Sequence, residues 1–437
     1  MKYNNSRKML VFAFITIVVM FSISIALFYY QNETDIEDIG YTLPQDAQVI
    51  LHLSTRTDTN VNFSPDPLSL IYYYDSDGHI LGMVEKKEEV MRDFIIKGND
   101  TVAFLFKNNT ILSNEKGHKN IEVNSKIFIE ADNFGPSQTG YLEEYDMFYS
   151  LLNVGQKEGE EYINVVRFVS DMKSYDVIVP YHLENIAYDS IENEIICIVS
   201  DLNDINNPNT IKYIVLEFND RLTEFSMNET LHTVDYDKTG YYSDKDIMFR
   251  TTMANNNYLY SVYIADTEKF VQDNNNDYFR THGNLILTIV DREKETAENL
   301  FLKDNYDLGE LGYGLLTGSD HLPMEVIDDT LYVFTSDYEV YIIKSEDDVK
   351  KIEIPYEFKG SLSLKRPFSK EYNDLENFFG SEIKVINDTI YVLTLFPNNT
   401  LKLYTLSDNA KYEMLWQGQL PSTSRKDLFV NTFEILF

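Results

Sequence analysis

Val326-Ile-Asp-Asp-Thr-Leu-Tyr-Val-Phe-Thr335 returns 59 residues later as Val385-Ile-Asn-Asp-Thr-Ile-Tyr-Val-Leu-Thr394. A repeat of this quality restricts the chain to architectures that stack one supersecondary unit many times. Each copy is a polar Asx pair, a threonine and then an almost unbroken apolar, β-branched and aromatic run. A strand reads this way when other sheets cover both of its faces. The turn and the threonine return in Asn99-Asp-Thr-Val-Ala-Phe-Leu-Phe106. Looser copies are Glu192-Asn-Glu-Ile-Ile-Cys-Ile-Val199 and Asn255-Asn-Asn-Tyr-Leu-Tyr260. With Thr330 as the reference, the equivalent positions are Thr101, Glu194, Asn257, Thr330 and Thr389, spaced by 93, 63, 73 and 59. The gap of 93 is about twice a propeller blade of roughly 40 to 50 residues. A degenerate copy at Asp146-Met-Phe-Tyr-Ser-Leu-Leu152 fills it and brings the count to six.

The clear copies are followed by further strand-like runs, such as Glu339-Val-Tyr-Ile-Ile343 and Leu401-Lys-Leu-Tyr-Thr-Leu406. Two C-terminal segments, Asp427-Leu-Phe-Val430 and Thr432-Phe-Glu-Ile-Leu-Phe437, have no outer partners. The N-terminal hairpin Leu68-Ser-Leu-Ile-Tyr-Tyr-Tyr74 to Ile80-Leu-Gly-Met-Val84, turned at Asp77-Gly78, has no inner ones. Joining the two ends into one blade closes a ring of seven and leaves no exposed inner edge. The fold class expected is therefore all-β: a single β-propeller of seven four-stranded blades, closed by pairing of the N- and C-terminal strands and preceded by one transmembrane helix. An array of two or three β-sandwiches is the competing architecture. On these repeats the chain resembles a bacterial β-propeller of the WD40/quinoprotein-like superfold, over roughly residues 48–437. That resemblance implies architecture, with ligand sites on the face where strand two joins strand three and one blade joins the next. It implies no activity. The Gly-His to Trp-Asp pairing of WD40 repeats is absent, and Trp416 is the only tryptophan.

Residues 9–30 carry no charge and contain only Thr16, Ser22 and Ser24 as small polar interruptions. As a helix they rise about 33 Å, enough to cross a hydrocarbon core of about 30 Å. Lys2, Arg7 and Lys8 precede the run, and Glu33, Asp35, Glu37 and Asp38 follow it. The positive-inside rule then places residues 1–8 in the cytoplasm and the rest outside. The expected organisation is a cytoplasmic tail (1–8), a signal-anchor helix (9–30), an acidic tether (31–47) and an extracytoplasmic propeller (48–437). The alternative is a signal peptide cleaved at Ser24-Ile-Ala26. No cysteine follows the apolar run, which excludes a lipoprotein anchor.

The net charge of −34 excludes nucleic acid as a partner, since such a surface repels phosphates. Cys197 is the only cysteine, so no intrachain disulfide exists; within Ile195-Ile-Cys-Ile-Val199 it reads as a small buried hydrophobe. The candidate ligand surface is the long insertions 266–281, 300–323 and 360–380. Gly309, Gly312, Gly314 and Gly318 form, with Tyr306 and Tyr313, the one Gly/aromatic-rich stretch. Its tyrosines suit stacking on a sugar or gripping a peptide, and Ser319 and His321 lie just beyond. The competing reading is an inter-blade linker. Asp273, Asn275 and Asp277 place oxygen side chains at alternate positions, as the opening of a calcium loop does. Calcium is thus the one cofactor suggested. Tyr278 stands where that loop needs glycine and Asn284 where it needs a bidentate acid, so a solvated polar loop competes.

No nucleophile elbow, zinc spacing or phosphate loop appears. The expected function is a noncatalytic extracytoplasmic binding or scaffold propeller anchored to the membrane. Its partner would be a protein, peptide or envelope ligand. The alternative is a glycan-directed hydrolase or lyase using acidic residues on the rim, which needs two carboxylates about 5 to 9 Å apart.

Overall fold

Every copy of the repeat becomes the second strand of an antiparallel sheet, and among the described residues Asp146, Asn193 and Asn257 stand in the turn that leads into it. The computed structural model describes residues 38–54, 68–87, 95–106, 109–122, 138–156, 162–189, 192–200, 210–228, 230–235, 248–255, 257–268, 282–307, 324–327, 330–334, 339–345, 348–353, 381–386, 389–395, 400–406, 412–420 and 429–436.

The chain begins with β1 (Val49–Ser54), β2 (Ser69–Tyr74) and β3 (Ile80–Lys86). Blade 2 follows as β4 (Ile95–Lys97), β5 (Val102–Leu105), β6 (Asn109–Asn114) and β7 (Gly117–Glu122). Blade 3 is β8 (Gln138–Leu142), β9 (Met147–Gln156), β10 (Tyr162–Val169) and β11 (Ser174–Val179). Blade 4 is β12 (His182–Asp189), β13 (Glu194–Ser200), β14 (Thr210–Asn219), β15 (Glu224–Met227) and β16 (His232–Asp235). Blade 5 is β17 (Met248–Asn255), β18 (Tyr258–Glu268), β19 (His282–Asp291) and β20 (Thr296–Asp307). Blade 6 is β21 (Met324–Ile327), β22 (Thr330–Phe334), β23 (Glu339–Ser345) and β24 (Asp348–Glu353). Blade 7 is β25 (Ser381–Ile386), β26 (Thr389–Leu395), β27 (Thr400–Leu406) and β28 (Tyr412–Gln419), and β29 (Phe429–Ile435) ends the chain.

Blade 1 has the order β29-β1-β2-β3, so the last strand pairs with the first. The first strands of the blades meet in series: β25 with β29, then β4, β8, β12, β17 and β21. The protein is an all-β, seven-bladed propeller. Its one helical element among the described residues is the 3-10 turn Glu143–Tyr145. No described helix is long and apolar enough to cross a membrane, and residues 9–30 lie outside the described residues.

The reason the repeat falls on the second strand is burial. Ile195, Ile196, Cys197 and Ile198 of β13 are all fully buried, although alternate residues point to opposite faces. Ile195 and Cys197 pack toward Val166 and Phe168 of blade 3. Ile196 and Ile198 pack toward Leu259 and Val290 of blade 5. The core is thus a series of layers between blades, and the second strand has a layer on each side. The turn before it demands Asx for a different reason. Asp146, Asn193 and Asn257 have φ of 47°, 57° and 67°, and short polar side chains tolerate that left-handed conformation best. Asn257 is therefore the turn residue, and Tyr258 takes the place of Thr330; the sequence alignment of that copy is offset by one.

Closure differs from the sequence reading in its division. The C-terminus supplies one strand, β29, and the N-terminus three. The two expected C-terminal segments merge because Thr432 pairs with His52 and Val430 with Leu53, which leaves Asn431 as a bulge. Its polar side chain reads in sequence as a break between strands. In blade 4 the outer position is shared by β15 and β16, both paired with β14.

Residues 38–47, assigned above to the acidic tether, carry specific contacts. Ile39 N–H donates to Met83 O at 3.1 Å. Tyr41 packs edge-on against Phe104 and Phe106, with centroids 5.2 and 5.9 Å away, and its carbonyl accepts from the Ser113 hydroxyl. Gln48 then joins both neighbours of β1, donating to Tyr74 O and accepting from Leu436 N–H. This strap lies across blades 1 and 2.

Candidate functional site

Antiparallel order sends the connections of a blade alternately to two faces. The first-to-second and third-to-fourth turns share one face, here the turn face. The second-to-third and blade-to-blade connections share the other, the loop face. The three insertions singled out in the sequence begin differently from their reading: 266–268 complete β18 and 300–307 complete β20, so the connections that leave from the loop face are 269–281 between β18 and β19, 308–323 between β20 and β21, and 354–380 between β24 and β25. Tyr306 pairs with Gly283 near the end of β20, at the margin of that face. Tyr313, Ser319 and His321 lie outside the described residues, as do Asp273, Asn275 and Asp277. The connectivity brings the roots of both segments to blade 5, since one follows β18 and the other β20.

Directly beside those roots lies a group that sequence reading missed. Glu339 opens β23, and its carboxylate is nearly buried. It accepts from Lys303 Nζ of blade 5 at 2.8 Å, from Lys351 Nζ of its own blade at 2.8 Å and from the Tyr341 hydroxyl at 3.2 Å. Burial pushes its pKa up, and the two ammonium hydrogen bonds more than offset this, holding it below its ordinary 4.5. Such an acid contributes stability above that ordinary value and loses it as pH falls through the lower, folded value. Glu339→Gln is expected to lower stability at neutral pH by about 1.5–3 kcal/mol. It should also flatten the acid-side loss below 4.5. Urea midpoints taken from neutral into acid pH check both, and parallel curves for the two proteins would refute the assignment. A carboxylate so engaged ties blade 5 to blade 6 rather than serving as an acid or base. Its only sequence signal is an acid at the head of an apolar strand after a loop.

The turn face holds two further features. At the β2–β3 turn, Asp75, Asp77 and His79 bring donor atoms within 4.8 Å of one another. The Asp75 carboxylate already accepts the backbone N–H groups of Asp77 (2.9 Å) and His79 (2.8 Å). The group is therefore the turn's own internal bonding. Gly78 has φ of 81°, and a Cβ there would come 1.9 Å from Gln417 O, so this turn also seats blade 1 on blade 7. Trp416 completes the contact, donating from Nε1 to Asp75 O at 2.8 Å. The single tryptophan is thus structural.

The second feature is a cavity of about 490 Å³ where the strap passes between blades 1 and 2. Its walls are the strap from Leu43 to Gln48, Leu436 just after β29, and two turns of blade 2 around Asn99 and Glu115. Sequence alone gave no signal for it, because it exists only where the two chain ends meet.

Comparison with known proteins adds the family. No curated protein matches the chain. Among solved structures, a Glu150Gln mutant of the Synechocystis apocarotenoid oxygenase has a TM-score of 0.45 at 10% identity, covering 88% of this chain and 92% of that one. Apo AztD from Citrobacter koseri has a TM-score of 0.39 at 10% identity, over 89% and 97% of the two chains. The β-propeller domain of the Trilobed protease from Pyrococcus furiosus has a TM-score of 0.32 at 8% identity, over 74% and 97%. Likenesses this distant carry nothing about chemistry. The family model described as YycP, beta-propeller domain, matches residues 42–415, beginning within the strap that the structure shows packed on blade 2. The chain belongs to the YycP β-propeller domain family.

Proposed function

We propose that this chain is a noncatalytic binding or scaffold propeller, held at the outer side of a cell membrane by residues 9–30 and accessory to a membrane complex. Its partner is a protein, peptide or envelope ligand recognised on the loop face. The observation that carries this reading is the segregation of connections: every long connection between strands leaves from one face, while on the opposite face strands are joined by short turns, save in blade 1, where the two chain ends meet. Long loops on a rigid scaffold are where recognition is usually built. The apolar run 9–30 and its flanking charges support the anchor, and the −34 charge suits a basic partner or cation.

The binding half and the anchor half are tested separately. A photo-crosslinking residue at Tyr313 in living cells should capture a discrete partner that the same residue at Met172, on the turn face, does not. Turnover of a defined substrate by the purified chain, abolished by one carboxylate substitution, would replace this reading with the glycan-directed enzyme. For the anchor, the full chain should stay with membranes through alkaline carbonate extraction, and deletion of residues 2–30 should release it. A mature N-terminus just after Ala26 would contradict the anchor.

A further inference from the structure

We propose that the cavity at the ring closure binds a small zwitterion, the free amino and carboxylate ends of an amino acid or short peptide. The cavity has a structural origin peculiar to blade 1. In blade 6 the first and second strands join across two residues, with Ile327 paired to Thr330. In blade 1 the corresponding strands come from opposite ends of the chain, and Gln48 and Leu436 meet there by a single 2.9 Å hydrogen bond. No turn occupies the space. The remaining volume of about 490 Å³ lies within the range of roughly 300–1,000 Å³ typical of small-molecule pockets.

The charge of the lining selects the ligand. The whole chain has 71 acids against 37 lysines and arginines, yet the cavity has two of each sign: Lys97 and Lys116 against Asp100 and Glu115. A simple anion would meet the carboxylates, and a simple cation would meet the ammonium groups. A molecule carrying both charges satisfies both. Among the described residues, neither lysine spends its ammonium group on a partner: their recorded hydrogen bonds are made by backbone N–H, from Lys97 to Glu434 and from Lys116 to Asn114. Gln45 and Asn99 supply amides for a peptide unit, and Leu43, Val102 and Leu436 supply an apolar wall for an aliphatic side chain. A ligand seated there touches the strap, the last strand and blade 2 together, so it stabilises the closed ring by mass action.

The test uses the full chain in detergent and the tripeptide Ala-Leu-Ala with free termini, followed by calorimetric titration and thermal unfolding. Saturable binding and a rise in the unfolding midpoint are expected. The same peptide acetylated and amidated should give neither. Lys97→Met and Lys116→Met, which keep the apolar stems, should each weaken binding by about tenfold or more while leaving the circular dichroism spectrum unchanged. Equal binding of the blocked peptide, an equal response to sodium acetate, or no binding at millimolar peptide would each overturn the proposal. The site is on the turn face, so these outcomes bear on the cavity alone, and the loop-face partner stands or falls on the cross-linking.

Discussion

Arg292→Ala is expected to destabilise the folded chain by about 3–5 kcal/mol, because it strands a fully buried carboxylate. Arg292 follows β19 and reaches from blade 5 into blade 4. Its Nη2 donates to Asp189 Oδ2 at 2.8 Å, and its Nη1 donates to Glu194 Oε2 at 2.7 Å. Asp189 has no exposed surface. It also accepts from Asn257 N–H at 3.1 Å and from Glu192 N–H at 3.2 Å, so one carboxylate holds the turns of two blades. Removing the guanidinium leaves that charge in a low-dielectric site without its cation, and the turn that carries it loses its fixed position. Arg292→Lys keeps the charge but loses the fork that reaches two carboxylates at once, so its loss should be intermediate. Denaturant titration of the three proteins checks the order. A wild-type-like midpoint for Arg292→Ala would mean that the two blades are held by their apolar layer alone.

The second large effect lies at the closure. Phe433 of β29 is fully buried in the layer between blades 7 and 1, with Leu51, Tyr72, Leu403 and Trp416 in the same cluster. Phe433→Ala should cost roughly 3–5 kcal/mol, the usual range for removing a core aromatic ring. Deleting residues 429–437 should do more. It removes the innermost strand of blade 1 and exposes the β1 edge, along with Val49, Leu51 and Leu53. The expected result is an aggregating chain, since an unpaired apolar edge strand recruits other edges. A soluble truncated chain with native circular dichroism would show that six blades and a three-stranded seventh suffice.

The parts of this fold that were legible in the sequence are those governed by local chemistry. Leu331, Tyr332 and Val333 announce a strand buried on both faces, and Asx before such a run announces a left-handed turn residue. The seven-fold count followed from spacing and from two leftover ends. What escaped was set by register and by long-range meeting. Asn431 looks like a strand break but is a bulge opposite β1. Residues 38–47 read as an acidic tether by charge, yet Ile39 and Tyr41 are the residues that anchor them. Arg292 sits in a charged turn, Asp291-Arg-Glu-Lys-Glu295, that reads as plain solvated surface. Nothing local distinguishes the one arginine that finds Asp189 103 residues away. The candidate ligand residues were legible as to face only: strand order places their roots together, and their side chains belong to segments outside the described residues.

The measurement that most directly tests the closed seven-bladed ring is an engineered disulfide between its two chain ends. Val49 and Ile435 are paired across β1 and β29. Opposed residues in antiparallel strands have Cα atoms about 4.5–5.5 Å apart, within disulfide reach. Val49→Cys with Ile435→Cys should oxidise within one molecule and change its mobility on a denaturing gel. Val49→Cys with Glu434→Cys, one residue out of register and pointing to the opposite face, should not. Both pairs are placed on a Cys197→Ala background, so that the one native thiol takes no part in the comparison. Cross-linking of the in-register pair alone is what this closure predicts. Cross-linking of the shifted pair instead, or of neither pair within one molecule, would contradict it.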